Sequence, residues 1–147
     1  MSSGKLTIHT DGGARGNPGP SGIGVVISDE KRKTVREVSE YIGKATNNQA
    51  EYRALIRGLE EVKKLGATSA SIFMDSELIV KQLNGEYKVR DKGLQPLFAR
   101  AWNLLQGFSS YGIKHVMRAK NKRADALVNQ ALDDQGGVDA KELLKRL

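Results

Sequence analysis

The sequence contains no cysteine, no apolar run long enough to cross a membrane and no internal repeat. The first absence excludes disulfides and thiolate metal sites. The second follows because a membrane span needs roughly 18 consecutive apolar residues. Met1-Ser2-Ser3-Gly4-Lys5 also lacks the apolar stretch of a secretory signal. A cytoplasmic protein without membrane association is therefore expected. No linker interrupts residues 1–135, so one domain is expected there, with residues 136–147 as a C-terminal tail. A chain of 147 residues can bury one real core. Hydrophobic residues at 39% and charged residues at 28% are an ordinary globular balance, which excludes wholesale disorder. A monomer is the expected state.

The net charge is +7 and the pI about 9.7. Such a surface attracts polyanions by neutralising phosphates and releasing counterions. Many small proteins are basic for solubility alone, so charge by itself only inclines toward nucleic acid.

Apolar and polar residues alternate from Lys5 to Asp11, with Leu6 and Ile8 on one face and Thr7 and His9 on the other, as in a strand. Gly12 to Gly22 reads as a turn-rich stretch. Ile23 to Ile27 reads as a buried strand, Asp29-Glu30-Lys31 as a hairpin turn and Thr34 to Ile42 as a third strand. Ala50, Ala54, Leu55, Leu59, Val62 and Leu65 then recur at helical spacing, predicting an amphipathic helix over 47–65 that Gly66 stops. A strand over 70–75 leads into a helix over 76–83. Leu94 to Leu105 marks another helix, residues 113–118 a fifth strand and residues 121–133 a further helix. Gly136-Gly137 reads as a flexible link. Beyond it, Asp139 and Glu142 have capping-box spacing ahead of a short terminal helix, whose Val138, Leu143, Leu144 and Leu147 are expected to pack on the body. The order β-β-β-α-β-α-α-β-α predicts an α/β fold, one five-stranded mixed sheet with helices on both faces.

Four acids hold special places in that order. Asp11 closes the first strand, Asp75 ends an otherwise apolar one, and Glu51 and Asp125 sit in the first turns of helices. Ends of strands and starts of helices meet at one edge of an α/β sheet, where sites usually form. Each acid also has a bland reading: a turn cap for Asp11, a helix cap for Asp75, a favourable helix N-terminus for Glu51 and Asp125. Taken together, those readings explain poorly an Asp at the end of an apolar strand. Converging carboxylates repel, and a divalent cation resolves the conflict. Oxygen-only ligands favour a hard ion, Mg²⁺ or Mn²⁺, over Zn²⁺.

Four ordered blocks carry those acids: Asp11-Gly12-Gly13-Ala14-Arg15-Gly16-Asn17-Pro18-Gly19-Pro20-Ser21-Gly22, Thr46-Asn47-Asn48-Gln49-Ala50-Glu51, Met74-Asp75-Ser76-Glu77-Leu78-Ile79-Val80 and Arg118-x-x-Asn121-x-x-Ala124-Asp125. They resemble, in order, the motifs of the type 1 ribonuclease H family, over roughly residues 5–134. The resemblance implies a ribonuclease H-like fold with its catalytic domain in residues 1–135. It also implies an endonuclease that hydrolyses the RNA strand of RNA–DNA hybrids and leaves 5′-phosphate and 3′-hydroxyl ends. Asp11, Glu51, Asp75 and Asp125 would be catalytic residues holding two Mg²⁺ ions, with Mn²⁺ as a substitute, Asp11 bridging both and Asp125 held most loosely. Gly12, Gly13 and the backbone near Glu51 would approach RNA 2′-hydroxyls. Asn17, Asn47, Asn48 and Gln49 match positions that touch the hybrid, although Asn and Gln also suit turns and caps. Glu77 stands where the family often has a neutral amide.

Two departures stand out. Only Ala119 and Lys120 separate Arg118 from Asn121, leaving no room for the family's histidine-bearing loop. His115 reads as a strand residue instead, and Arg118 or Lys120 is the candidate auxiliary group. The lysine-rich insertion ahead of the Trp102 helix is also missing. Lys88, Arg90 and Lys92 are a thin replacement, so weaker hybrid binding is expected than in members with the insertion. Three other readings compete: a binding module that lost a carboxylate, an integrase-like or junction-cutting nuclease, and a metal-dependent phosphatase. All four acids are present, the Asn-Pro-Gly and Thr-Asn-Asn-x-x-Glu blocks do not suit the second, and a phosphatase needs neither the +7 charge nor a 2′-hydroxyl reader.

Overall fold

The alternation from Leu6 to Thr10 leaves Leu6, Ile8 and Thr10 fully buried on one side of a strand, and that strand becomes the middle of a sheet. The computed structural model describes residues 4–146, and side chains through residue 135. The central strand β1 (Lys5–Ala14) pairs antiparallel with β2 (Gly19–Ser28) and parallel with β4 (Ser69–Met74). β3 (Thr34–Ala45) joins β2 antiparallel and β5 (Ser110–His115) joins β4 parallel, giving the order β3-β2-β1-β4-β5.

The helices are α1 (Asn47–Lys64), α2 (Glu77–Leu83), α3 (Gln95–Gln106) and α4 (Lys122–Arg146). The side-chain period of two along β2 divides them between the faces. Val25 and Ile27 belong to the main core with Leu55, Leu59 and Val62 of α1 and Ile79 and Leu83 of α2. Val26 packs instead with Ala124 and Leu127 of α4. Each fully buried Ile or Leu contributes about 1.5–3 kcal/mol, so the three-helix face anchors the fold and α4 closes the other side. The mixed sheet covered on both faces agrees with the sequence expectation.

Several boundaries differ from those read in the sequence. β1 continues to Ala14 and β2 begins at Gly19, so only residues 15–18 turn, around a cis Asn17–Pro18 peptide. Gly12, at the head of the expected turn, and Gly24, inside the expected strand, are packing glycines. A Cβ on Gly12 would lie 2.3 Å from the Ala50 carbonyl oxygen of α1, and one on Gly24 would lie 2.1 Å from that of Ala124 in α4. Glu51 is the fifth residue of α1, beyond the first turn. The last strand begins at Ser110 and ends at His115, earlier than expected, because Ser110-Tyr111-Gly112 pairs with Ser69-Ala70-Ser71 through its backbone without an apolar pattern. Helical backbone also runs through Gly136 and Gly137 to Arg146, where a link had been expected. A helical glycine costs about 1 kcal/mol relative to alanine but need not end the helix. Gly66 does follow the end of α1, at φ 83°. The expected packing of Val138, Leu143, Leu144 and Leu147 and the Asp139–Glu142 box lie outside the described side chains.

Candidate active site

Thr10 and Met74 are partners in the parallel β1–β4 register, so Asp11 and Asp75 are the next residues of adjacent strands. Glu51 reaches the same place from α1, where the Gly12 backbone N–H donates to its Oε1 at 2.9 Å. That bond needs the strand and helix backbones to touch, which the missing Cβ of Gly12 permits. Oxygens of Asp11, Glu51 and Asp75 lie within 4.8 Å of one another. Asp125, in the first turn of α4, borders the same cleft. It is not one of that tight trio, and Arg118 Nη2 donates to its Oδ1 at 3.4 Å.

The bland readings of these acids fare unevenly. Ser76, not Asp75, caps α2, its hydroxyl accepting from the Ile79 N–H. Thr46 and Gln49 form the capping box of α1, so Glu51 is not needed for it. Asp11 lies inside a strand. Only Asp125 keeps a favourable helix N-terminus as a sufficient account.

Asp11 and Glu51 are buried, at 7% and 8% exposure. Burial, the charge of Asp75 and a hydrogen bond with Asp125 push the Asp11 carboxyl up to about 8. Burial, and after it the charges of Asp11 and Asp75, hold Glu51 well above the ordinary carboxylate range. Three like charges this close and this dry are stable only when protonated or neutralised by a cation. An all-oxygen donor set fits a hard divalent ion such as Mg²⁺.

A stability prediction follows from the raised pKa values. A group whose folded pKa is raised stabilises the fold while protonated and loses that contribution as pH rises through the folded value. In EDTA the melting temperature should therefore fall by several degrees, an effect of order 2 kcal/mol, from about pH 5 to about pH 8. Added Mg²⁺ should restore it at pH 8. Scanning fluorimetry at both pH values checks this, and a flat metal-free profile would mean the trio is not in repulsion.

The cleft around the carboxylates has a volume of about 410 Å³. Gly12, Gly13, Asn47 and Asn48 line it, as does Arg118. Asn17 and Gln49 support it from outside. Asn17 Oδ1 accepts from the Asn47 N–H at 3.1 Å, Asn47 Oδ1 accepts from the Ala14 N–H at 2.8 Å, and Gln49 Oε1 accepts from the Thr46 N–H. Lys120 belongs to a separate pocket with His9 and Ser28. His115 ends β5 and is exposed. Lys88, Arg90 and Lys92 are exposed on the connection between α2 and α3.

Two polar cleft residues, Arg15 and Asn129, and the buried Asn121 behind the cleft were not singled out from the sequence. Asn129 lies four residues after Asp125 on a helix, a spacing that puts both on one face and could have revealed it. Asn121, 2% exposed, turns inward, and its Nδ2 donates to the Thr10 carbonyl at 2.9 Å. It thereby ties the start of α4 to the residue before Asp11.

A family model described as reverse transcriptase-like matches residues 9–131. The chain is 47% identical over 130 residues to Rv2228c, a bifunctional protein of Mycobacterium tuberculosis, and spans 36% of that protein's length. It is also similar to the crystal structure of RNase H1 from Halobacterium salinarum, with 46% identity and a TM-score of 0.87 over 89% of this chain and 99% of that one. LC11-RNase H1, solved in complex with an RNA/DNA hybrid, is 49% identical with a TM-score of 0.85, over 88% of this chain and 98% of the other.

Proposed function

The chain belongs to the type 1 ribonuclease H family, and from that premise we propose that it hydrolyses the RNA strand of RNA–DNA hybrids with Mg²⁺, leaving 5′-phosphate and 3′-hydroxyl ends. The observation that carries this reading is the convergence of Asp11, Glu51 and Asp75 on one point, their oxygens within 4.8 Å, at the floor of an open cleft. The hybrid bound by LC11-RNase H1 supports the substrate class.

Asp11, Glu51 and Asp75, with Asp125 at the margin, would hold two ions. When bound, these supply Lewis acidity and charge neutralisation for phosphodiester hydrolysis. The chain's own contribution is to fix the carboxylates before substrate arrives. The Gly12 N–H orients Glu51, and Asn121 sets the distance from β1 to the helix that carries Asp125. Gly12, Gly13 and Asn48 face the cleft, where the backbone of the glycines and the Asn48 amide can read a 2′-hydroxyl while the Gly12 N–H stays with Glu51. Asn17, Asn47 and Gln49 act mainly by holding the β1–β2 turn against the start of α1.

Arg118 is the auxiliary group at this site, since it lines the cleft and meets Asp125, whereas Lys120 does not line it. Arg118→Ala is expected to lower kcat by about 10–100-fold with a smaller change in KM. An unchanged kcat removes it from the mechanism.

The deciding experiment is cleavage of a labelled 12-mer RNA presented alone, paired with DNA and paired with RNA, with Mg²⁺ or with EDTA. Cutting confined to the hybrid and stopped by EDTA supports the proposal. A hybrid that binds but is never cut makes the chain a binding module, the reading that competes most directly.

A further inference from the structure

We infer, resting on the hybrid-cutting function just proposed, that Arg15 is a phosphate contact for the RNA strand and that Asp133 occupies it until the substrate arrives. The cleft presents carboxylates from three β- and α-elements to a polyanion, so its few cations bear the task of drawing the backbone in. Among the residues that line it, Arg15 and Arg118 are the two with positive charge, and each is engaged by an acid. Arg118 meets Asp125, a proposed ion ligand. Arg15 meets Asp133 Oδ1 at 2.6 Å, and Asp133 has no part in the carboxylate trio.

Placement makes Arg15 the outlying hand of the site. It follows β1 directly, four residues beyond Asp11, or about 13 Å of extended chain at about 3.3 Å per residue. Its guanidinium therefore meets a phosphate beyond the one being cut, on the strand already lying in the cleft. Its backbone is held firm by the Arg15 N–H bond to the Pro20 carbonyl, while its side chain is half-exposed and free to change partner. Asp133 is in α4, next to the cleft-lining Leu132, with 65% of its side chain exposed. An exposed pair of this kind is weak, and a phosphate offers the same fork geometry to arginine as a carboxylate does. Asp133 thus acts as a stand-in phosphate. It keeps Arg15 extended across the mouth of the cleft and lowers affinity for anything less charged than a nucleic-acid backbone.

The test is a double-mutant cycle on binding of a fluorescein-labelled hybrid in EDTA, read by anisotropy from 50 to 200 mM salt. Asp133→Asn should tighten binding about threefold at 50 mM salt. Arg15→Gln should weaken it about fivefold and reduce the salt slope by about one ion. The decisive term is the double variant, which should bind like Arg15→Gln alone, because Asp133 acts through Arg15. If Asp133→Asn tightens binding equally in both backgrounds, Asp133 is only one more surface charge and the inference fails. An unchanged salt slope for Arg15→Gln also overturns it. Cleavage of the hybrid by the wild type is the control that separates the two proposals. Cutting with an additive cycle sinks the Arg15–Asp133 exchange alone, and a wild type that neither binds nor cuts the hybrid sinks both.

Discussion

Asp11→Asn is expected to lower RNA hydrolysis in a hybrid by about 10²–10³-fold or more while making the metal-free protein more stable at pH 8. Both effects have the same origin. Asp11 is buried beside Asp75 and Glu51, and its carboxyl is raised to about 8, so at pH 8 ionising it works against the fold. An amide of the same shape removes one charge from the trio and can donate to a neighbouring carboxylate. A gain of order 2 kcal/mol, or about 4–8 °C in melting temperature, is expected in EDTA. In Mg²⁺ the order should reverse, because the wild type gains binding energy that the variant has lost. Fluorimetry with and without Mg²⁺ reads the stability, and the 12-mer assay reads the rate. Wild-type activity in the variant would remove Asp11 from the chemistry, and a lower metal-free melting temperature would contradict repulsion within the trio.

Gly24→Ala should damage stability and activity together, because residue 24 faces α4 and is the β2 partner of Asp11 in the β1–β2 ladder. The added methyl would lie 2.1 Å from the Ala124 carbonyl oxygen and 2.9 Å from the Leu127 Cβ. Backbone cannot swing aside as a long side chain can, so the first turns of α4 must lift from β2. Overpacking of this kind costs about 1–3 kcal/mol, and a clash with backbone belongs at the upper end. Asp125 follows Ala124 directly and moves with it. A loss of about 3 kcal/mol in urea denaturation is expected, with activity reduced even at temperatures where the variant is folded. Gly112→Ala, where a Cβ meets nothing within 4 Å, is the control and should stay within about 0.5 kcal/mol of wild type. Equal stability of the two variants would show that α4 adjusts without strain.

The sequence made the element order and the four acids legible because both leave periodic or positional marks. Alternation reveals β1, three- and four-residue spacing reveals α1, and an Asp ending the apolar run before Ser76 is hard to explain as packing. The glycines were misleading, since a glycine that admits a neighbouring backbone and one that turns the chain look alike in one dimension. Gly12 is of the first kind, and only its contact with α1 reveals it. The start of β5 was also hidden. Ser110-Tyr111-Gly112 carries no apolar alternation and is a strand because β4 offers it a backbone ladder. The Arg15–Asp133 pair joins residues far apart in the chain, and no spacing rule announces it.

The bond from Asn121 to the Thr10 carbonyl spans 111 positions. The anionic trio is therefore fully encoded by residue 75, while the α4 wall that turns it into a cleft is synthesised only after residue 121. A growing polypeptide can carry the acids but cannot yet present them to a duplex. The cleft is complete only when α4 docks on β2 and β1, so under the proposed function chains cut between residues 75 and 121 are expected to be inert rather than loosely active.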